Sequence, residues 1–242
     1  MGGGSPPCLK IGRPPCAGGC RGVVPPQAIQ SLTVTYSRDE RLALAALLEE
    51  TGPDAPTLCA GWQTRDLAAH LVVRERRPDA GLGMVGGPLA GYTARVQHGY
   101  LDKHSYSELI GIFRAGPPRL SPFAIPGADG AANTVEYFVH HEDVRRATDG
   151  WTERELPPGL SDELWKRLKS SRLFLRGAPT GVALARADAS APAIIAKHAP
   201  GSVTVAGAPA ELTLWSMGRV GAANVTFDGP GEAVARLTAW RR

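Results

Sequence analysis

The segment Asn133-Thr-Val-Glu136-Tyr-Phe-Val-His140-His141-Glu142-Asp143-Val-Arg-Arg-Ala147 limits most strongly how this chain can fold. At 100° per residue, Glu136, His140, Asp143 and Ala147 share one arc of about 60° on a helix. Val139 and Val144 flank that arc, so it is expected to face a core, with His141 and Arg145 turned the other way. A carboxylate and an imidazole four residues apart on an apolar face are costly to bury without partners. A divalent metal ion resolves that cost. It gives the carboxylate a positive charge and the neutral imidazole an acceptor for its lone pair.

A Glu–His pair at this spacing also occurs on exposed helices, so the pair alone does not define a site. His70 changes the weighing. It lies between Leu67, Leu71 and Arg74 on another helical pattern, where a solitary histidine reads as a satisfied core residue. Together the two patterns supply His70, Glu136 and His140, a ligand set suited to zinc. Three protein ligands leave a position open, which is the catalytic rather than the structural arrangement. The zincin motif is absent, because Arg145 stands where His141-Glu142 would need its next histidine. His98, His104 and His198 have no partners at ligand spacing and receive no role.

Around these patterns the chain divides in three. Residues 1–34 are rich in Gly and Pro and lack periodicity, so they are expected to be a disordered N-terminal extension, one that a mis-chosen start codon would add. Residues 35–150 read as helical. Ser37-Arg-Asp-Glu40 resembles a capping box before Leu42, Leu44, Leu47 and Leu48. Thr64 is the expected cap of a helix running to Arg77, where Pro78 stops it, and a Gly-rich loop (81–87) follows. Helices are then expected over 88–103 and 105–115, and from a cap at Asn133 or Thr134 to Ala147. Residues 151–242 change character. A helix over 161–176 precedes strand-like runs at 181–185, 193–197, 202–206 and 224–227, with helices at 211–218 and 231–240. This mixture implies a small α+β domain.

Composition narrows the setting. Of 242 residues, 43% are hydrophobic and 21% charged, ordinary values for a globular protein. No run approaches the ~18 apolar residues of a membrane span, and nothing reads as a signal peptide, so the cytoplasm is the expected address. Lys10, Arg13 and Arg21, with no acid before residue 35, account for +3 of the net charge of +4. The body is nearly neutral and shows no basic stripe, which argues against nucleic acid as a partner. Cys8, Cys16 and Cys20 lie in the extension, and Cys16-x3-Cys20 has no second pair to complete a structural zinc site. Cys59 is the single body cysteine, and disulfides are not expected.

Two phrases carry a resemblance. Gly61-Trp62-Gln-Thr64-Arg-Asp66-Leu-Ala-Ala-His70-Leu71, followed by Glu136-x3-His140-x2-Asp143, is similar to the metal-binding pattern of the DinB-like superfamily. The similarity is greatest to its mycothiol-dependent maleylpyruvate isomerase branch and to a metal-binding subfamily of mycothiol-using bacteria. Leu214-Trp-Ser-Met-Gly218-Arg219 resembles a weaker C-terminal signature. The resemblance implies a four-helix bundle (DinB-like) followed by a small α+β C-terminal domain, with zinc on His70, Glu136 and His140. It further implies that the metal lowers the pKa of a low-molecular-weight thiol such as mycothiol, whose thiolate attacks an electrophile. Asp143 then orients a ligand or makes a structural ion pair. Arg219 approaches from the second domain to pair with a carboxylate of substrate or thiol. Histidine at 141 is not required by that pattern, and a helix-surface or inter-domain position is expected for it. Trp62 is expected to pack ahead of its helix.

The leading expectation is therefore a zinc-dependent thiol transferase or isomerase acting on a small electrophile. Its rivals are a non-catalytic metal-binding protein whose second domain binds a ligand or partner, and a metal-dependent hydrolase. A His/Glu/His set also accepts nickel, iron or manganese, and the sequence identifies no substrate.

Overall fold

A computed structural model describes residues 1–2, 36–81, 83, 88–118 and 128–240. The expectations placed on residues 3–34, with their three cysteines, and on the loop at 82 and 84–87 lie outside the described residues. Residues 35–242 form one compact unit. It is mostly helical, with a four-stranded sheet near its C-terminus.

The helical part comprises α1 (Tyr36–Thr51), α2 (Thr64–Arg76), the single turn α3 (Pro78–Gly81), α4 (Ala90–Lys103), α5 (Tyr106–Ala115) and α6 (Ala128–Arg145). Leu44, Ala45 and Leu48 of α1 meet Leu67 and Leu71 of α2, Leu109 and Phe113 of α5, and Tyr137 of α6 in one core. The helices lie where the apolar periodicity put them, but several starts differ. Ser37 sits inside α1, and Glu40 is spent on Arg154, whose guanidinium reaches its carboxylate at 2.9 and 2.8 Å, rather than closing a capping box. Gln63, not Thr64, caps α2, its N–H donating to Asp66 Oδ2 at 2.9 Å. α6 begins at Ala128, so Asn133 and Thr134 are interior residues. Thr134 Oγ1 donates back to Gly130 O at 2.8 Å and Asn133 Oδ1 accepts from Arg74. Short polar side chains satisfy interior backbone or side-chain partners as readily as helix ends, so residue type alone misplaced these caps.

In the second part, the helix expected over 161–176 is broken into α7 (Pro158–Arg167), a 3₁₀ turn (Leu168–Ser171) and α8 (Arg172–Leu175). Pro158 opens α7 because its fixed φ and missing N–H suit a first helical position. The strands β1 (Val182–Arg186), β2 (Ile194–Lys197), β3 (Val203–Gly207) and β4 (Thr226–Asp228) overlap the expected runs and lie in the order β2-β1-β3-β4. β1 and β3 are parallel, and the two edge strands pair antiparallel to them. Val182, Leu184, Val203 and Val205 pack under Trp165, Leu212, Trp215 and Leu237, with α9 (Pro209–Ser216) and α10 (Gly231–Ala239) supplying the last three.

Helix α6 joins the two parts. Phe138 and Val139 pack with Leu160 and Leu164 of α7 and Leu214 of α9, while Tyr137 faces the helical core. Covered on both sides, α6 carries no solvent-facing stripe along Tyr137–Val144 apart from the groups that line its site. His141, expected on a surface or at a domain junction, is 7% exposed and its Nδ1 lies 3.4 Å from Glu40 Oε2. It does point away from His140's site, but α1 covers the face it occupies. Among the described residues, no helix is long and apolar enough to cross a membrane.

Candidate metal centre

Helix α2 brings His70 to α6 because Leu67 and Leu71 on either side of it are fully buried in the shared core. Its Nε2 lies 3.3 Å from Glu136 Oε1. One turn along α6, His140 Nε2 lies 3.2 Å from the same oxygen. The two imidazoles meet edge to face at 5.2 Å, and Trp62 closes the outer side of His70 at 5.1 Å. The donor atoms of His70, Glu136 and His140 all lie within 4.8 Å of one another. Ligands held about 2.0–2.2 Å from one zinc ion sit about 3–4 Å apart, so this donor set fits a divalent cation.

His140 supports that fit in a second way. Its Nδ1 lies 2.8 Å from Asp143 Oδ2, and Asp143 is fully buried. A metal-ligating histidine characteristically has a carboxylate on its other ring nitrogen, which fixes tautomer and ring orientation. Asp143 in turn accepts from Arg219 Nε at 2.8 Å and from a terminal nitrogen at 2.6 Å. The third guanidinium nitrogen reaches Met217 O at 2.7 Å. Arg219 thus reaches the site from beyond α9, and the carboxylate it bonds in this structure is that of Asp143.

Two residues join the site without having been marked in the sequence. Cys59, in the turn before α2, places Sγ 3.2 Å from Asp143 Oδ2 and 3.5 Å from Arg219. With His140 and Asp143 it makes a second compact donor group. Arg74 places Nε 3.2 Å from Glu136 Oε1. Nothing in local spacing marks Cys59, which lies 84 positions from Asp143. Arg74, by contrast, stands one turn after His70 on the same face and was legible as a neighbour of the site. His98 lines a cavity of about 330 Å³ together with His70 and Trp62, while His104 stacks on Tyr100 away from the site.

The electrostatics follow from burial opposed by pairing. Burial works to raise the Glu136 pKa, yet hydrogen bonds with His140 and His70 and the charges of His140 and Arg74 hold it well below the usual carboxylate range. Burial lowers that of His70, only partly offset by Glu136. Burial also works to lower that of His140, but hydrogen bonds with Asp143, Cys59 and Glu136 outweigh it and raise the value well above normal. For Asp143, burial is overcome by His140 and Arg219, and its pKa falls to about 2. A carboxylate with a depressed folded pKa contributes stability that is present above the unfolded value and is lost as pH falls through the folded one. Asp143→Asn is accordingly expected to destabilise the protein at pH 5, and its deficit against the wild type to shrink from pH 3.8 down to about 2. Urea midpoints across that range check this, and a deficit that stays constant with pH would contradict it.

Two further cavities border the centre. One of about 260 Å³ is lined by Glu136, Arg74, Ser171 and Thr213. A larger one of about 810 Å³ is lined by Cys59, Arg219, Trp151 and Phe174.

The molecule is thus a mostly helical protein whose His–Glu–His donor set pairs two buried histidines with a half-buried glutamate, closed on one side by a small α+β part. Residues 34–103 match the family model described as the mycothiol maleylpyruvate isomerase N-terminal domain. Among solved structures, the chain is similar to the mycothiol-dependent maleylpyruvate isomerase, with 15% identity and a TM-score of 0.53 over 80% of this chain and 90% of that one. No match was found among curated proteins. The family match is confined to residues 34–103, and the likeness to the solved isomerase over the rest of the chain is one of fold.

Proposed function

We propose that this protein is a divalent-cation enzyme, with zinc held by His70, Glu136 and His140, that uses a low-molecular-weight thiol of the mycothiol type to isomerise or transfer onto a small electrophile. The observation that carries the reading is the convergence of three donor atoms from α2 and α6 within 4.8 Å. The structurally similar isomerase is named for its dependence on mycothiol, which supports the choice of thiol. When bound, a dication at this position supplies positive charge that favours thiolate over thiol at neutral pH.

The chain's own residues do the rest. Asp143 fixes the His140 ring through Nδ1, leaving Nε2 to point at Glu136. Arg219 clamps Asp143 with two nitrogens and so ties the α+β part to the site. Its guanidinium also lines the 810 Å³ cavity, which has room for a thiol cofactor, while Trp151 and Phe174 give that cavity apolar walls. The same proposal includes the reading of the helical part as a DinB-like four-helix bundle, with the division from the α+β part at residue 150.

Calorimetric titration with mycothiol tests it, using full-length protein purified without a histidine tag, before and after chelation. Thiol binding that requires the metal, and disappears with it in His70→Ala or Glu136→Ala, is the expected result. Metal binding without thiol affinity or turnover would instead favour a non-catalytic metal protein, and hydrolysis indifferent to thiol would favour a hydrolase.

A further inference from the structure

The Glu136 carboxylate oxygen that meets both histidines has a third neighbour. Arg74 Nε lies 3.2 Å from Oε1, level with the two imidazole contacts at 3.3 and 3.2 Å. The guanidinium is not a wandering surface charge. Its side chain is 13% exposed, and a terminal nitrogen is held by Asn133 Oδ1, from a fully buried residue one turn before Glu136. α6 therefore presents two anchors, Asn133 and Glu136, to a single arginine of α2.

We infer that Arg74 is a resident counter-charge that satisfies Glu136 independently of any metal and holds down the affinity of the His70–Glu136–His140 set for a divalent cation. The inference rests on the metal reading above and adds to it. The guanidinium is a positive charge fixed in place by Asn133 beside the carboxylate oxygen that both histidines share. A dication on this set shares one carboxylate oxygen with a fixed positive charge, and the repulsion is weakly screened because all the groups involved are largely buried. Arg219 does not compete in this way, since the carboxylate it bonds is that of Asp143, outside the His–Glu–His set.

Two consequences follow. The carboxylate keeps a partner when no cation is bound, so folding is not coupled to metal as it is in structural zinc modules. The cation is correspondingly more exchangeable than the bare donor set would make it.

The test is zinc affinity, measured by competition with a chromophoric chelator on the full chain without a histidine tag, together with the melting temperature of the chelated protein. Arg74→Gln is expected to bind Zn²⁺ at least tenfold more tightly than wild type, a difference of about 1.4 kcal/mol. Its chelated form is expected to melt at lower temperature than chelated wild type. Arg74→Lys, which keeps the charge, is expected to stay within about threefold of wild type, a change well under 1 kcal/mol. Arg74→Met, which keeps the apolar stem, provides the neutral readout should the glutamine variant not fold. Equal or weaker zinc binding in the neutral variants, with wild type binding zinc, overturns this inference alone. Wild type that binds no zinc overturns the metal reading itself.

Discussion

His140→Ala is expected to abolish divalent-metal binding, lowering retained metal from near stoichiometric to less than roughly a tenth. Outer partners of a metal site alone are worth about 10–100-fold in affinity, and His140 is both a donor and the link to such a partner. Its removal takes Nε2 from Glu136 and leaves Asp143 without the imidazole 2.8 Å away. Elemental analysis of dialysed protein purified without a tag reads the result, and His70→Ala and Glu136→Ala are expected to behave alike. The control is the adjacent imidazole. His141→Ala removes a ring that faces Glu40 of α1, so it is expected to lose stability but keep the metal. Stoichiometric metal in His140→Ala, or equal losses at 140 and 141, would remove the basis for the proposed centre.

The second large effect concerns how the two parts of the molecule hold together. Arg146, in the turn just after α6, donates to Glu142 at 2.7 Å and to both oxygens of Glu211 on α9 at 2.9 and 2.7 Å. It also reaches Ala222 O at 2.7 Å, and its guanidinium lies 4.3 Å from the centre of the Trp151 ring. The side chains of Arg146, Glu142 and Glu211 are 1%, 1% and 3% exposed. Breaking such a network by removing one member strands buried charge, so Arg146→Leu is expected to cost about 3–5 kcal/mol. At about 2–4 °C per kcal/mol for a chain of this size, the melting temperature should fall by roughly 6–20 °C. The exposed pair Arg114–Glu49, at 2.6 Å, is the comparison, with an expected effect of about 0–1 kcal/mol. Calorimetry on both variants decides the matter. An Arg146→Leu protein within 1 kcal/mol of wild type would mean the network is solvated in solution.

What could be seen in advance depended on the distance over which each feature is encoded. The helical face shared by Glu136, His140 and Asp143 follows from 3.6 residues per turn, and these groups do lie together. The short apolar runs expected as strands at 181–185, 193–197, 202–206 and 224–227 overlap the four strands that form, each shifted by a residue or two at one end or both. Helix starts were less legible. Asn133 carries a residue type common at caps, yet its side chain serves Arg74 from inside α6. The burial of His141 was hidden because α6 is covered on two sides, and one helix's periodicity does not reveal how many neighbours surround it.

Local pattern was enough to say that α2 and α6 would each bury a polar face, since an apolar stripe interrupted by imidazole and carboxylate needs partners whatever the topology. Which partners they found was settled by packing alone. Cys59, Arg74 and Arg219 reach the centre from a turn, another helix and the far part of the chain, across separations of up to 160 positions. No repeat or spacing records such contacts, because they exist only once the cores around Leu44, Phe138 and Val203 have closed and set the backbones that carry these side chains.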